Sequence, residues 1–496
     1  MTKKILYWID ANLLGYCLSY YLQNQLDHES YALIDITDKP KKFFQEQKLV
    51  NYNKTWFYHD SVLPDKEEVD LNYLSSFEKK FNIDLWSLII NDRTFYRFNR
   101  IYKFSNDEIL SILYKECKLF ESIFNEIDVD FFITEEPAFR YHEFFYQLCL
   151  RKKIKVLMIN PPNIKKCVIS EKTRKLDSFD TLDNIQISNL NFEQLRDKLK
   201  SLSVYKQLET YRKKYKTSKK LRLNSAFDYL FKSQNTNVNT HYTYFGRTKT
   251  KVLLDAIKVS LKLKYRQRFI DKNFAKELVK NEKFIYFPLA VDEERNILIN
   301  APYYTNQIEI IRQIVKSLPI DYKLYVKEAP SQAVRYWRPI SEYKEIMNIP
   351  NTRLFHPNMP SETFFKDCSL VMVISGSSGY EAAFHGKPSI IFSETGYSIL
   401  PSVTQIQSIL DLPSSIKKSL KTQVNPNDVE KYITYLEKNS FDFDGFQYAT
   451  NYQHQFYYGG NLVDVDISVS KMELFLKNNQ LLFKNAIEEY VKKINS

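Results

Sequence analysis

LVMVISGSSGYEAAFHGKPSIIF, residues 370–392, holds a complete β-turn-α-β step in one short stretch. The apolar run Leu370–Ile374 predicts a buried parallel strand. It breaks at Ser375-Gly376-Ser377-Ser378-Gly379, a turn of small and hydroxyl-bearing residues. Tyr380–His385 has the composition of a helix, which Gly386 is placed to terminate. Lys387-Pro388 then leads into a second strand, Ser389–Phe392. Free N–H groups and a partial positive charge at a helix N-terminus suit a phosphate or carboxylate. The alternative is a turn chosen only for packing. The turn matches neither GxGxxG nor GxxxxGK[ST], which argues against both a dinucleotide fingerprint and a P-loop.

The same alternation extends on both sides. Within 281–420, strands are expected at 284–288, 323–327 and 352–355, with helices at 305–317 and 361–366. Residues 1–165 alternate likewise: strands at 5–9, 31–36, 131–134 and 155–159, and helices at 12–26, 40–47, 106–126 and 139–152. Such βα alternation implies two parallel sheets covered by helices. Residues 166–280 are polar and Lys-rich and read as a helical connector, with a loop over 233–240, and 421–496 as a helical tail. Ligands of open α/β sheets bind at the carboxyl ends of the strands. In the second domain those ends carry Gln307 with Tyr303 and Tyr304, Lys327-Glu328, His356-Pro357, the 375–379 turn with Glu381 behind it, and Ser393-Glu394. Hydroxyls and N–H groups there suit phosphate, and a carboxylate suits ribose or sugar hydroxyls.

Composition bounds the partners. The chain has 496 residues, 44% hydrophobic and 26% charged, normal for a globular protein of two or three domains. It has no apolar run of about 18 residues, and its first apolar segment is too short for a signal peptide. Five scattered cysteines without CxxC spacing argue against a disulfide framework or metal cluster and fit a cytoplasmic protein. The net charge of +12 invites anionic partners. The densest basic run, Arg212–Arg222, reads as a solvated helix or as a contact with the inner-membrane surface or export machinery. No nucleic-acid recognition motif accompanies it. Three DxD triplets (Asp128–Asp130, Asp442–Asp444, Asp464–Asp466) are common by chance, and no HExxH or GxSxG occurs, so neither a metal nor a cofactor is expected.

Residues 284–413 resemble the capsule polysaccharide biosynthesis family, the β-Kdo-transferase-like GT-B glycosyltransferases. The matching words are Phe287-Pro288-Leu289, Ala301-Pro302-Tyr303-Tyr304 with Gln307, Leu324–Glu328, Ile374–Ala382 and Gly386-Lys387-Pro388. The N-terminal half matches in layout, including Asp92-Arg93 and Thr134–Pro137. The resemblance implies a GT-B-like fold with a cleft between two Rossmann-like domains. It implies an enzyme passing a sugar from a nucleotide-sugar, CMP-Kdo or a related CMP-sugar, to a glycan or lipid-linked acceptor in surface polysaccharide assembly. The expected chemistry is metal-independent and inverting. Lys327, Glu328, His356, Ser375, Ser377, Ser378, Gly379, Glu381 and Gln307 would hold the donor. A base from the N-terminal domain would deprotonate the acceptor, with Glu136, Glu135 and His142 as candidates. One departure stands out: the family's His-Pro after Lys-Glu is Ala329-Pro330 here, so either His356 on the neighbouring strand replaces that contact, or the donor differs from a CMP-linked sugar, or activity is reduced. An epimerase or glycerophosphotransferase on the same architecture, or a non-catalytic assembly protein, is the alternative.

Overall fold

The structure, a computed structural model, describes residues 2–64, 68–95, 98–162, 164–177, 182, 185–203, 218–233 and 237–496. Its chain divides into two units: 1–177 with 202–252 and 439–496, and 178–201 with 253–438.

The first unit is built on β1 (Lys3–Asp10), β2 (His28–Asp35), β3 (Lys54–Phe57), β4 (Phe131–Glu135), β5 (Lys155–Asn160) and β6 (Val168–Ser170). They lie in the order β3-β2-β1-β4-β5-β6, parallel except for β6. Alternate residues of β1 feed two cores. Leu6 and Trp8 face helices Asn106–Glu126 and Arg140–Arg151. Ile5, Tyr7 and Ile9 face helices Leu14–Leu22 and Val469–Asn495. Each such side chain contributes about 1.5–3 kcal/mol on full burial. The helix after β1 starts flush against the strand: a Cβ on Gly15 would sit 1.9 Å from the Trp8 carbonyl oxygen, so no larger residue fits. Helix Asn106–Glu126 coincides with its expected bounds because a capping box fixes its start, Ser105 and Glu108 each satisfying the other's backbone N–H.

The second unit carries β7 (Phe284–Pro288), β8 (Lys323–Lys327), β9 (Thr352–Phe355), β10 (Leu370–Val373), β11 (Ser389–Ile391) and β12 (Val403–Gln405). All are parallel, in the order β12-β11-β10-β7-β8-β9. Counted within each sheet, both units have strand order 3-2-1-4-5-6, the Rossmann arrangement. Helix Ser378–Phe384 ends as the sequence implies. Gly386 takes φ 68°, its N–H donates to Ala383 O at 3.0 Å, and that of Lys387 donates to Ala382 O at 3.0 Å, a Schellman closure.

The expected connector is not one body. Residues 178–201 group with the second sheet, where Phe192 fills the space beside Gly386, while 202–252 group with the first. Of the basic run, 212–217 lie outside the described residues, and Lys219–Phe231 is a helix. Of the expected loop, 234–236 lie outside them, and Asn237–Thr240 forms a helical turn. The tail is helical at Pro426–Lys438, Gly445–Phe456 and Val469–Asn495. The last two belong to the first unit and the first to the second.

Candidate functional site

In the second sheet β7 and β10 are neighbours, and the chain runs outward from them in opposite directions. This switch point is where α/β folds open a crevice at the strand ends. Ser375 donates its hydroxyl to Asn296 O at 2.6 Å, and Ser393 donates to Asn300 O, so the loop after β7 is tied to the turns after β10 and β11. Gly376 faces open space, with nothing within 4 Å of a would-be Cβ. Gly379 does not: its Cβ would lie 2.8 Å from the Tyr397 hydroxyl, which donates to Gly376 O at 2.5 Å. Of the two glycines, one leaves an approach and the other admits Tyr397.

Several expected donor residues meet here. Ser377 donates to Glu381 Oε1 at 2.8 Å. Lys327, at the end of β8 and buried, reaches Ser361 Oγ at 3.4 Å. Burial lowers the Lys327 pKa, and the charges of Glu381 and Glu328 oppose that shift. Burial raises Glu381, against the Ser377 hydrogen bond and the Lys327 charge. Lys327 and Glu381 thus feel one another's charge in a poorly solvated place. Ser378 opens the helix, and its hydroxyl has no partner among the described residues.

Three expected donor residues are committed elsewhere. Glu328 is fully buried. Its Oε1 accepts from Ala329 N at 2.7 Å and its Oε2 from Arg338 Nε and the Tyr343 hydroxyl, both at 2.9 Å. It therefore anchors the chain beneath the rim and does not present a carboxylate to sugar hydroxyls. Arg338 also bonds Asp292 Oδ2 and Ala290 O, joining the loops after β7 and β8. Gln307 completes that lock: its Oε1 accepts from Ala290 N at 2.9 Å, and its Nε2 donates to Ala290 O at 2.9 Å and Asp292 Oδ1 at 2.7 Å. His356, at the end of the edge strand β9, accepts at Nδ1 from Asn358 N at 3.2 Å and donates from Nε2 to Asp271 Oδ1 at 3.0 Å. Both ring nitrogens are taken, so His356 does not replace the missing family histidine. Nothing in the sequence near Glu328 announced Arg338 or Tyr343 as its partners.

The first unit has its own switch point between β1 and β4. Asn12 folds back after β1: its backbone N–H donates to Asp10 Oδ1 at 2.9 Å, its Oδ1 accepts from Leu14 N at 2.8 Å, and its Nδ2 donates to Glu135 Oε1. Glu135 ends β4 and lines a cavity of about 400 Å³ with Asn12, Asn160 and Lys166, walled by Phe443, Tyr448 and Tyr452 of the tail. Tyr448 donates to Asn12 O at 2.7 Å, fixing the tail to this rim. The tail aromatics carry no motif, and sequence reasoning missed them. Glu136 is half-buried and lies outside this lining. His142 is a packing residue: it is 2% exposed, stacks on Trp8 with ring centroids 4.2 Å apart, and bonds Thr134 Oγ1 at 2.6 Å. Its side chain has no path to a substrate.

Behind Glu135 lies a buried proton-holding cluster. Burial and then the Asp35 charge push Asp10 up to about 7, while a hydrogen bond with Glu135 pulls the other way. Burial likewise raises Asp35 to about 7 against its bond from the Tyr141 hydroxyl, at 2.8 Å. His59 Nε2 lies 2.6 Å from Asp35 Oδ1, and burial lowers its pKa to about 3. Asp35, His59 and His241 bring three ligand-type atoms within 4.8 Å of one another. Yet the two imidazoles lie face to face, centroids 3.3 Å apart and planes 29° apart, so their in-plane lone pairs do not converge on one ion at about 2.1 Å. The set is a hydrogen-bonded cluster of neutral rings and a carboxyl. Each DxD triplet is occupied structurally: Asp130 accepts from Lys4 N, Asp444 caps helix Gly445–Phe456, and Asp464 accepts from Lys39 N and the Ser233 hydroxyl. Asp92 pairs with Arg140, which also grips Glu116 through two bonds of 2.6 Å, a buried carboxylate–Arg–carboxylate set like that around Arg338.

No curated protein matches the chain by sequence. Among solved structures it is similar to UDP-GlcNAc 2-epimerase from Methanocaldococcus jannaschii, at 10% identity and TM-score 0.25, over 88% of this chain and 99% of that one. UDP-GlcNAc 2-epimerase from Neisseria meningitidis bound to UDP-GlcNAc matches at 11% identity and TM-score 0.24, over 88% and 99%. KpsC, a beta Kdo 2,7 transferase from Thermosulfurimonas dismutans, matches at 12% identity and TM-score 0.27, over 65% and 89%. A family model, described as capsule polysaccharide biosynthesis protein, matches residues 190–422. That stretch includes the whole second sheet with its serine turn, Lys327 and Glu381, and over it the chain is similar to the capsule polysaccharide biosynthesis family.

Proposed function

We propose that this protein is a glycosyltransferase that takes a nucleotide-sugar on its second unit and a glycan or lipid-linked acceptor hydroxyl on its first. The observation that carries the reading is the convergence of Lys327, Glu381, Ser377 and the open Gly376 turn at the switch point of the second sheet. A desolvated ammonium beside backbone that can be approached closely suits the phosphate of a departing nucleotide, whose charge grows as the glycosidic bond breaks. Glu381 would then accept from a sugar or ribose hydroxyl. Lys327 supplies the positive charge, so no divalent ion is required in this scheme. On the first unit, Glu135 is the base: Asn12 orients one of its oxygens, and the cavity beside it has a polar edge and an aromatic wall fit for a pyranose. Direct attack by the acceptor oxygen on the anomeric carbon inverts its configuration. A CMP-linked sugar is the donor the family points to.

The test is a calorimetric titration of CMP-, UDP-, GDP- and CDP-sugars, followed by transfer assays with the binding donor. Lys327→Met is expected to weaken donor binding about ten- to a hundredfold, as for loss of a charged hydrogen bond. Glu135→Gln is expected to keep donor binding and lose about 10²–10⁴ in turnover. Equal donor affinity in Lys327→Met refutes the donor assignment. Conversion of the donor sugar without acceptor refutes the transferase reading in favour of an epimerase.

A further inference from the structure

Helix Lys249–Asn273 carries two opposed faces. One is pinned to the second sheet's unit. Val259 and Ile270 are buried, Arg266 donates to the carbonyls of Tyr336 and Trp337 at 2.9 and 2.6 Å, and Gln267 Oε1 accepts from the Trp337 indole at 2.9 Å. The other face bears Leu254, Ile257, Leu261 and Tyr265, which are 57%, 60%, 64% and 67% exposed. At 3.6 residues per turn these four fall within an arc of about 80°, opposite the Val259–Arg266–Ile270 line. The apolar stripe is therefore turned away from the unit that holds the helix. Lys258 and Lys262 flank it on one side and Lys264 on the other, all exposed. Eight Lys or Arg against two Asp give these 25 residues a net +6, half of the chain's +12. Helix Lys219–Phe231 repeats the chemistry on the first unit: Leu223, Phe227 and Phe231, at a spacing of four, are 71%, 55% and 72% exposed. No helix among the described residues is long and apolar enough to cross a membrane.

We propose that the Leu254–Tyr265 face of this helix docks the protein onto an anionic phospholipid surface. An apolar stripe edged by lysines is the pattern that buries side chains at the acyl boundary while the ammonium groups meet lipid phosphates. A second protein surface or a second copy would need acidic groups to answer the lysines. The helix itself offers only Asp255 and Asp271.

The experiment is co-sedimentation of the full chain with vesicles of phosphatidylcholine alone and of phosphatidylcholine with 30 mol% phosphatidylglycerol (about one lipid in three), at low and high salt. Binding is expected to the anionic vesicles, at least about tenfold weaker to the neutral ones, and weakened at about 0.5 M salt by screening. Leu254→Gln/Ile257→Gln/Leu261→Gln is expected to abolish binding with an unchanged melting temperature, since these side chains touch solvent. Lys258→Glu/Lys262→Glu is expected to cost at least about tenfold, because each lysine near such a surface is worth about fivefold. Failure of the wild type to sediment with anionic vesicles overturns the proposal, as does retained binding by the triple variant. A wild-type dimer that the triple variant converts to monomer also overturns it, by assigning the face to a second copy.

Discussion

Asp35→Asn is expected to make the first unit more stable as pH rises, reversing the usual cost of altering a buried polar residue. The Asp35 side chain is 9% exposed, and its pKa stands at about 7 against an ordinary 3.8. A carboxyl whose folded-state pKa is raised binds its proton more tightly in the folded chain than in the unfolded one. Its contribution is complete below the unfolded pKa and is lost as pH climbs through the folded one. Between pH 5 and pH 7 the folded group stays largely protonated while the unfolded one is ionised, a cost of about 1.4 kcal/mol per pH unit. The wild type should therefore lose about 3 kcal/mol from this group between pH 5 and pH 8. Asparagine cannot ionise, yet it still accepts from the Tyr141 hydroxyl, and about 1 kcal/mol is forfeited where the His59 contact weakens. Asp35→Asn should sit near wild type at pH 5 and about 2–3 kcal/mol above it at pH 8. Removing the Asp35 charge also lets Asp10, which that charge raises, fall toward the usual carboxylate range. Urea unfolding at both pH values, followed by Trp fluorescence, gives the comparison. A variant equally destabilised at pH 5 and pH 8 would refute the reasoning, because Asp35 would then be ionised in the folded chain and held by His59 and Tyr141.

Arg338→Met should cost the second unit about 3–5 kcal/mol, because Asp292 and Glu328 remain buried without their shared cation; a melting temperature within a degree of wild type would contradict the buried network. Gly379→Ala should destabilise the second unit, since the new methyl meets Tyr397 and Val373 at 2.8 and 3.1 Å, whereas Gly376→Ala should leave melting unchanged and weaken donor binding in calorimetry.

The sequence made most strands buried on both faces legible, but not the three-residue β6, which is fully buried and lies inside the stretch expected to be a helical connector. β1, β4, β7, β8 and β10 are apolar runs of four to eight residues closed by polar turns, and their bounds were found within two residues. β3 and β12 were missed because Lys54–Phe57 and Val403–Gln405 are short and partly exposed, and a half-buried edge strand leaves little periodic signal. Strand-end reading placed Lys327, Ser377 and Glu381 on one rim, because topology alone brings strand ends together. It could not tell which of two adjacent residues points outward. Lys327 reaches Ser361, whereas Glu328 is bound by Arg338 and Tyr343. The partners that disarm Glu328 and Gln307 lie ten to seventeen positions away, as Arg338 and Tyr343 do from Glu328 and Asp292 and Ala290 from Gln307, and no spacing rule links them. The Asp35–His59–His241 cluster draws on three separated segments and was invisible for the same reason.

The placement of the last helix has a consequence for synthesis. Ile5, Tyr7 and Ile9 leave the ribosome about 460 residues ahead of Val469–Asn495, which roofs their face of the sheet. At about 5–20 residues per second the interval is roughly 25–90 s. The second unit is synthesised within that interval and can close on its own sheet, whereas the first waits with a strip of bare Ile and Tyr exposed. The nascent chain therefore carries a chaperone-recognisable surface throughout elongation, and a stop codon before position 469 would leave it permanently uncovered.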